Sequence, residues 1–360
     1  ALADPLFEEA GKLARELGMR REEAMATLQM AGGNFGERKF EGEFEQFDAA
    51  LRMFREVGDR HNEARTLSRM ANLLVHHGKF AEALGRINES ESILRELEDF
   101  SGVGMALNTR GNIFYHHQDY AQALEQYDAA FEIFNRLNDR RMQALMGGNR
   151  ALMTRQLRRL DEALVAMQET GRLAAEMGDQ GTLATNLMNM GLLLLDLDRL
   201  DEAEQMFKQG SELLQRQGRA SMWAVCVENI GNIAARRGDT ATAHARIAEA
   251  MRISPPDEIT FLEGIRVSLA ELLLQEGKHA QAAREAAQAR AHFEADKKTR
   301  FRDYFRACVA EAAALKAQAS QPVLVSELKE KALQTASYLK YSDADPARVI
   351  RVAMEFLKNL

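Results

Sequence analysis

Asparagine recurs at positions 72, 112 and 232, separated by multiples of forty residues, and Asn108 stands four before one of them. A carboxamide offers donors and an acceptor, so a row of Asn on one surface can hydrogen-bond the backbone of a bound peptide whatever its sequence. The competing reading is that these amides satisfy neighbouring helix groups or water. Six arginines, Arg140, Arg141, Arg150, Arg155, Arg158 and Arg159, precede the first acid, Asp161. Guanidinium groups without a local counter-charge hold carboxylates bidentately, so this stretch is expected to anchor an acidic peptide unless it is simply a solvated face. Arg155 and Arg236 are the best placed. His76-His77 and His116-His117 fall forty residues apart, which brings their side chains together if the chain stacks with that period. They suit a lining or pH-sensitive contact, or ordinary surface. A metal needs three or four ligands, and no Cys or carboxylate recurs in phase beside them, so neither metal nor cofactor is expected. There is no glycine-rich phosphate loop, nucleophile elbow or HExxH, and the chain is read as non-enzymatic.

The elements that must position these groups follow from the period. In rows of forty, small residues align at Ala31, Ala71, Gly111, Ala151, Gly191 and Gly231, and the column twelve later reads Glu43, Ala83, Ala123, Ala163, Ala203, Ala243 and Ala283, with no gap needed. Four further on a bulky column follows: Phe47, Ile87, Tyr127, Met167, Phe207 and Ile247. Each row holds two apolar stripes of helical spacing, such as Leu67, Met70, Leu74 and then Ala83, Ile87, Leu94. The repeat is therefore a hairpin of helix A and helix B, whose small columns let the axes approach closely. Gly18, Gly58, Asn138, Gly178 and Gly218 suit a left-handed residue after helix B, and Asp59, Asp99, Asp139 and Asp179 the next N-cap. With the small column of helix A numbered position 8, the core stripe uses 4, 7, 8 and 11. Positions 2, 5, 9, 12 and 13 form another face, which reads Arg65, Ser68, Asn72, Val75, His76 and then Met105, Asn108, Asn112, Tyr115, His116.

These columns, with the small residues Ala50, Ser90, Ala130, Thr170, Gly210 and Ala250 three after the bulky one, resemble the tetratricopeptide repeat. The family repeat is 34 residues, whereas this one is 40, a variant similar to the arrays of LGN/Pins scaffolds, MalT-like sensors and Rap-type regulators. The resemblance implies an all-α fold, an α-solenoid of antiparallel helix hairpins wound as a right-handed superhelix. It also implies that helix A lines the concave side. The residues expected to hold a partner there are Arg65, Asn72, His76, Asn108, Asn112, Tyr115, His116, Arg155, Asn232 and Arg236.

Residues 1–18 are in register with helix B, so the sequence is expected to open halfway through a repeat, with domains missing on its N-terminal side. Seven repeats are expected at about 19–59, 60–99, 100–139, 140–179, 180–219, 220–257 and 258–299, completing an array over 1–299. A divergent hairpin, 300–340, and a capping helix over 341–360 follow. Asp345-Pro346 is a good N-cap and N1 pair, with Val349, Ile350, Ala353, Phe356, Leu357 and Leu360 on one face. Pro255-Pro256 should break the regularity.

The composition is consistent with this reading. Across 360 residues, 46% apolar with five Pro and two Cys, there is too much chain for one compact globule and no disulfide framework. No apolar run reaches 18 residues, and a net charge of −7 argues against a general nucleic-acid binder. The expectation is a cytoplasmic scaffold that captures a protein or peptide segment in its groove, contacting neither membrane nor nucleic acid directly. Intramolecular contact with the missing domains is possible on this reading. The alternative is a regulatory domain that senses an effector or signal peptide.

Overall fold

The computed structural model describes residues 3–31, 40–295, 301–319 and 321–342, and the stretch expected to form the C-terminal cap lies outside them. The described residues form helices joined by tight turns, without strands. In chain order these are α1 (Ala3–Glu16), α2 (Arg20–Ala31), α3 (Phe40–Glu56), α4 (Arg60–His76), α5 (Phe80–Glu96) and α6 (Phe100–His116). Then come α7 (Tyr120–Arg136), α8 (Arg140–Gln156), α9 (Leu160–Glu176), α10 (Gln180–Asp196), α11 (Leu200–Arg216) and α12 (Ala220–Arg236). The remainder are α13 (Thr240–Ile253), α14 (Ile259–Gln275), α15 (His279–Ala295), α16 (Phe301–Ala317) and α17 (Pro322–Ser342). Successive helices pack as antiparallel hairpins, an α-solenoid arrangement, in which α4, α6, α10 and α12 pack most extensively on the helix that follows. The chain divides into two compact units, residues 1–146 and 147–360, with the boundary inside α8.

The alternation of small and bulky columns is the packing rule of both units. Ala83 and Ala123 in the first unit, and Ala163, Ala203 and Ala243 in the second, have no exposed surface, and the bulky column from Phe47 to Ile247 is at most 2% exposed. At two of the glycines on helix A, helix B answers with a ring. A Cβ on Gly111 would lie 2.6 Å from Tyr127 Cε1, and one on Gly191 2.6 Å from Phe207 Cε1. No methyl group fits at that separation, so the glycines are there for the approach of the ring.

The turns repeat every twenty residues, twice as often as expected. Gly58, Gly78, Glu98, Gln118, Asn138, Arg158, Gly178, Asp198, Gly218 and Gly238 all have positive φ, so the A-to-B turn is built like the B-to-A junction. In both, where an Asp follows the left-handed residue it caps the next helix, whereas Lys79, Arg159, Arg199 and Arg219 at the same place make no side-chain cap. Asp59 accepts from Asn62 N at 3.1 Å, Asp119 from Gln122 N at 3.1 Å and Asp179 from Thr182 N at 3.0 Å. Equal 17-residue helices and three-residue connections keep the stripes of α4 to α7, and of α9 to α12, in phase.

An ion-pair motif joins consecutive hairpins of the first unit. Glu23, buried at the start of α2, takes Arg15 Nε at 2.7 Å and Arg20 Nη1 at 2.9 Å, and Arg20 reaches on to Glu56. Forty residues later Glu63 takes Arg55 Nε at 2.8 Å and Arg60 Nη1 at 2.7 Å, and Arg60 reaches on to Glu96. These hydrogen bonds hold the Glu23 carboxyl below the usual carboxylate range, Arg15 contributing most. The motif stops where Val103 replaces the glutamate, and Arg95 turns back onto Glu91.

Pro255-Pro256 does break the pattern. α13 ends after 14 residues at Ile253, and Ser254 follows with extended backbone, φ −56° and ψ 129°. The forty-residue alignment slips there by one, a correction to the ungapped register: α14 starts at 259 and Ala282, not Ala283, is the fully buried member of the column. Pro cannot continue a helix, so α13 ends three residues short and a five-residue connection, 254–258, leads to α14.

Two substitutions test the packing rule. Gly191→Ala should cost about 1–3 kcal/mol by overpacking against Phe207, and adding Phe207→Leu should recover part of it in denaturant titrations. Gln118→Gly should raise stability by up to about 1 kcal/mol by relieving a non-glycine residue of its left-handed conformation.

Candidate functional site

Helix A leaves one stripe facing solvent, and helical geometry dictates its members. In α4 these are Arg65, Arg69, Asn72 and His76, and in α6 Met105, Asn112, Tyr115 and His116. Arg65 and Asn72 are exposed. Position 12, expected on this face, lies four residues beyond the small column and therefore turns inward. Val75 is buried in the core of the first unit, and Arg155 is only 8% exposed. Tyr115, at the same position, remains on the surface, its ring 5.3 Å from His116 and 6.1 Å from Tyr120. Position 5 faces the seam between A and B: Ser68 and Ser90 share a hydrogen bond of 2.9 Å, and Asn108 is buried at the equivalent place.

Position 6 takes the place on the stripe that position 12 vacates. It carries Arg69 in the first unit and Asn149, Asn189 and Asn229 in the second. These three asparagines also recur every forty residues, a signal present in the sequence but lying outside the expected face, which omits position 6. Asn229 donates to Val225 O at 2.8 Å, and Asn149 also engages another group. The amides of Asn72, Asn189 and Asn232 have no partner among the described residues. Asn112 differs, since Tyr127 donates its hydroxyl to Asn112 Oδ1 at 2.7 Å inside the same hairpin. Burial pushes the Tyr127 phenol up, so this hydroxyl remains a donor.

The basic stretch in α8 is largely committed within the protein. Arg155 Nε lies 2.6 Å from Asp196 Oδ2, both side chains being mostly buried. Arg159 lies 3.9 Å from Glu162, and Arg140, Arg150 and Arg158 each engage another group. Arg236, exposed, lies 3.9 Å from Asp198. The His76 and His116 rings approach to 6.4 Å. Burial, and then the charge of His76, hold His116 below the usual histidine range. One residue on, His77 and His117 stack on Phe40 and Phe80 of the preceding hairpin, with centroids 4.5 and 5.4 Å apart. Among the described residues no group of three or more His, Cys, Asp or Glu is arranged to hold a metal, and no helix is long and apolar enough to cross a membrane. Cys226 and Cys308 are both buried, which pushes each thiol up to about 12, so neither supplies a thiolate at neutral pH.

If Arg155 is held in place as the geometry shows, Asp196→Ala should cost about 3–5 kcal/mol by stranding a buried guanidinium, whereas a paired replacement by Met and Leu should be close to neutral in thermal denaturation. In an NMR titration His116 should protonate below the ordinary 6.5, and His76→Ala should raise its midpoint without restoring that value, because burial remains.

The sequence model of the family described as anaphase-promoting complex subunit 5 matches residues 37–114 and 109–197. No curated protein matches the chain in sequence. Solved structures do. Aspartyl phosphate phosphatase F from Bacillus subtilis is 13% identical with a TM-score of 0.67, covering 91% of this chain and 89% of that one. The Rap conjugation gene regulator of plasmid pLS20, in complex with the Phr* peptide, is 12% identical with a TM-score of 0.60, covering 87% and 80%. A tetratricopeptide repeat protein from Parabacteroides merdae is 18% identical with a TM-score of 0.53, covering 82% and 98%. At such identities the likeness is one of fold, and it agrees with the repeat read from the columns: the chain has the helical-hairpin fold of tetratricopeptide-type repeat proteins.

Proposed function

We propose that this chain is a non-enzymatic, intracellular scaffold that binds a peptide or protein segment on the solvent-facing stripe of its A helices. The observation that carries the reading is the set of amides without a protein partner at Asn72 in the first unit and at Asn189 and Asn232 in the second. A carboxamide in contact only with water keeps its donors and acceptor available to a peptide backbone. Beside Asn72, the first unit also exposes Met105, Tyr115 and Leu145 on helix A, at 43%, 39% and 44%. Apolar side chains next to uncommitted amides are what a peptide with alternating backbone and side-chain contacts requires. Arg65, His76 and His116 lie on the stripe of the first unit and Arg236 on that of the second, Asn112 on the stripe is engaged by Tyr127, and Asn108 and Arg155 support the stripes from within.

A second reading, a domain that senses a signal peptide, is favoured by the Rap regulator solved with the Phr* peptide. It differs only in the consequence of binding, a change of conformation passed to an attached output domain. The repeat partition, with a half repeat at 1–18 and full repeats to 299, belongs to the same proposal.

The test is to pan a phage-displayed library of random dodecapeptides against the whole chain. Enrichment of a peptide family is expected, with affinity reduced at least tenfold by Asn72→Ala or by Asn189→Ala with Asn232→Ala, at unchanged thermal midpoint. Absence of enrichment, or affinity indifferent to all three asparagines, would contradict the proposal.

A further inference from the structure

In α4 to α7 of the first unit the two helices of each hairpin carry opposite charge. α4 holds three Arg against one Glu, and α6 one Arg and no acid. Their partners reverse the balance, with two Arg and four Glu in α5, and one Arg and three acids in α7. The one acid of α4, Glu63, is buried between Arg55 and Arg60. A chain of net charge −7 therefore presents, on the A stripe of its first unit, a surface without a carboxylate.

Arg65 and Arg69 stand one helical turn apart on that stripe, an arrangement in which like charges repel. Several other guanidinium groups of the unit find acids, as Arg55 and Arg60 do on Glu63 and Arg110 does on Glu91. Among the described residues neither Arg65 nor Arg69 has a carboxylate partner. Arg69 is half-buried and fixed from one side: Nη1 donates to Leu28 O at 3.1 Å, and the guanidinium lies 5.5 Å from the Phe47 ring centroid. A planar fork held in this way loses little freedom when its remaining N–H groups meet a ligand. Burial and the charge of Arg65 depress its pKa, the opposite of the effect acids have on Arg55.

We propose that Arg65 and Arg69 form a subsite for a carboxylate side chain, so that the segment bound by the first unit is an acidic peptide anchored through an Asp or Glu. This rests on the peptide-binding reading above. Two guanidinium groups converging on one carboxylate relieve their mutual repulsion and supply charge-assisted hydrogen bonds. Asn72, three residues beyond Arg69, is then placed for the adjoining backbone.

The experiment uses the dodecapeptides selected on the full chain, labelled with fluorescein and followed by anisotropy. The peptides should be rich in Asp and Glu, and one acidic position changed to its amide should lose at least tenfold in affinity. Arg65→Ala and Arg69→Ala should each lose a similar factor, with little further loss when peptide and protein changes are combined. Arg69→Lys, which keeps the charge and the stem, should fall between and guards against a packing effect. Panning the Arg65→Glu, Arg69→Glu variant should select basic peptides instead. Peptides without acidic bias, or indifferent to both arginines while sensitive to Asn72→Ala, would overturn the carboxylate subsite and leave the peptide-binding proposal standing. Failure to select any peptide removes both. Tighter Arg-dependent binding of a twelve-nucleotide oligouridine than of the acidic peptides would assign the pair to phosphate and overturn the proposal.

Discussion

The close approach of helix A to helix B within each hairpin is the constraint on which the remaining structure depends. The rings of Tyr127 and Phe207 come close enough to helix A to leave no room for a Cβ at Gly111 and Gly191. Elsewhere in the column Ala31, Ala71 and Ala151 stand opposite Phe47, Ile87 and Met167, and Gly231 opposite Ile247. This interlock fixes the rotation of helix A about its own axis, and with it the residues that face solvent. Core packing and the composition of the candidate surface are thus one decision, because residues at spacings of three and four cannot change face independently.

Electrostatics then separates the two helices of the α4–α5 and α6–α7 hairpins. Acids of α5 pair with Arg86 and Arg95 of the same helix and with Arg55, Arg60 and Arg110, and the buried Glu23 and Glu63 clamp one hairpin to the next. Paired charges of this sort fix register as much as they stabilise. Arg65 and Arg69, which no acid takes, lie on the stripe that also holds the uncommitted Asn72. A binding surface built in this way needs no cavity and no perturbed catalytic group, only side chains that the fold has not already used.

Much of this architecture is legible in the amino-acid sequence. The columns at Ala83, Ile87 and Ala71 identify core because a forty-residue recurrence combined with helical spacing leaves few other arrangements, and Gly58 and Asp59 mark a turn by their own chemistry. The left-handed turns at Gln118, Arg158 and Asp198 are not legible, since those side chains give no sign of positive φ and the conformation is imposed by helices of equal length. Position 12, expected on the surface, lies four residues from the small column, so Val75 and Arg155 turn inward. Arg155 also shows the limit of reading charge along a chain: its counter-ion, Asp196, is 41 residues away in sequence and 2.6 Å away in space. The slip at Pro255 has an evident cause in the sequence, but its size depends on how the extended Ser254 meets the next helix.

The central claim is that the A stripe, rather than the acidic surface of the B helices, meets the partner. Photocrosslinking measures this most directly, with p-benzoylphenylalanine placed either at Met105 on α6 or at Glu132 on α7, both exposed, and a selected peptide bound to the whole chain. Crosslinking from position 105 and none from position 132 is the predicted result. Crosslinking from 132 alone would contradict the account.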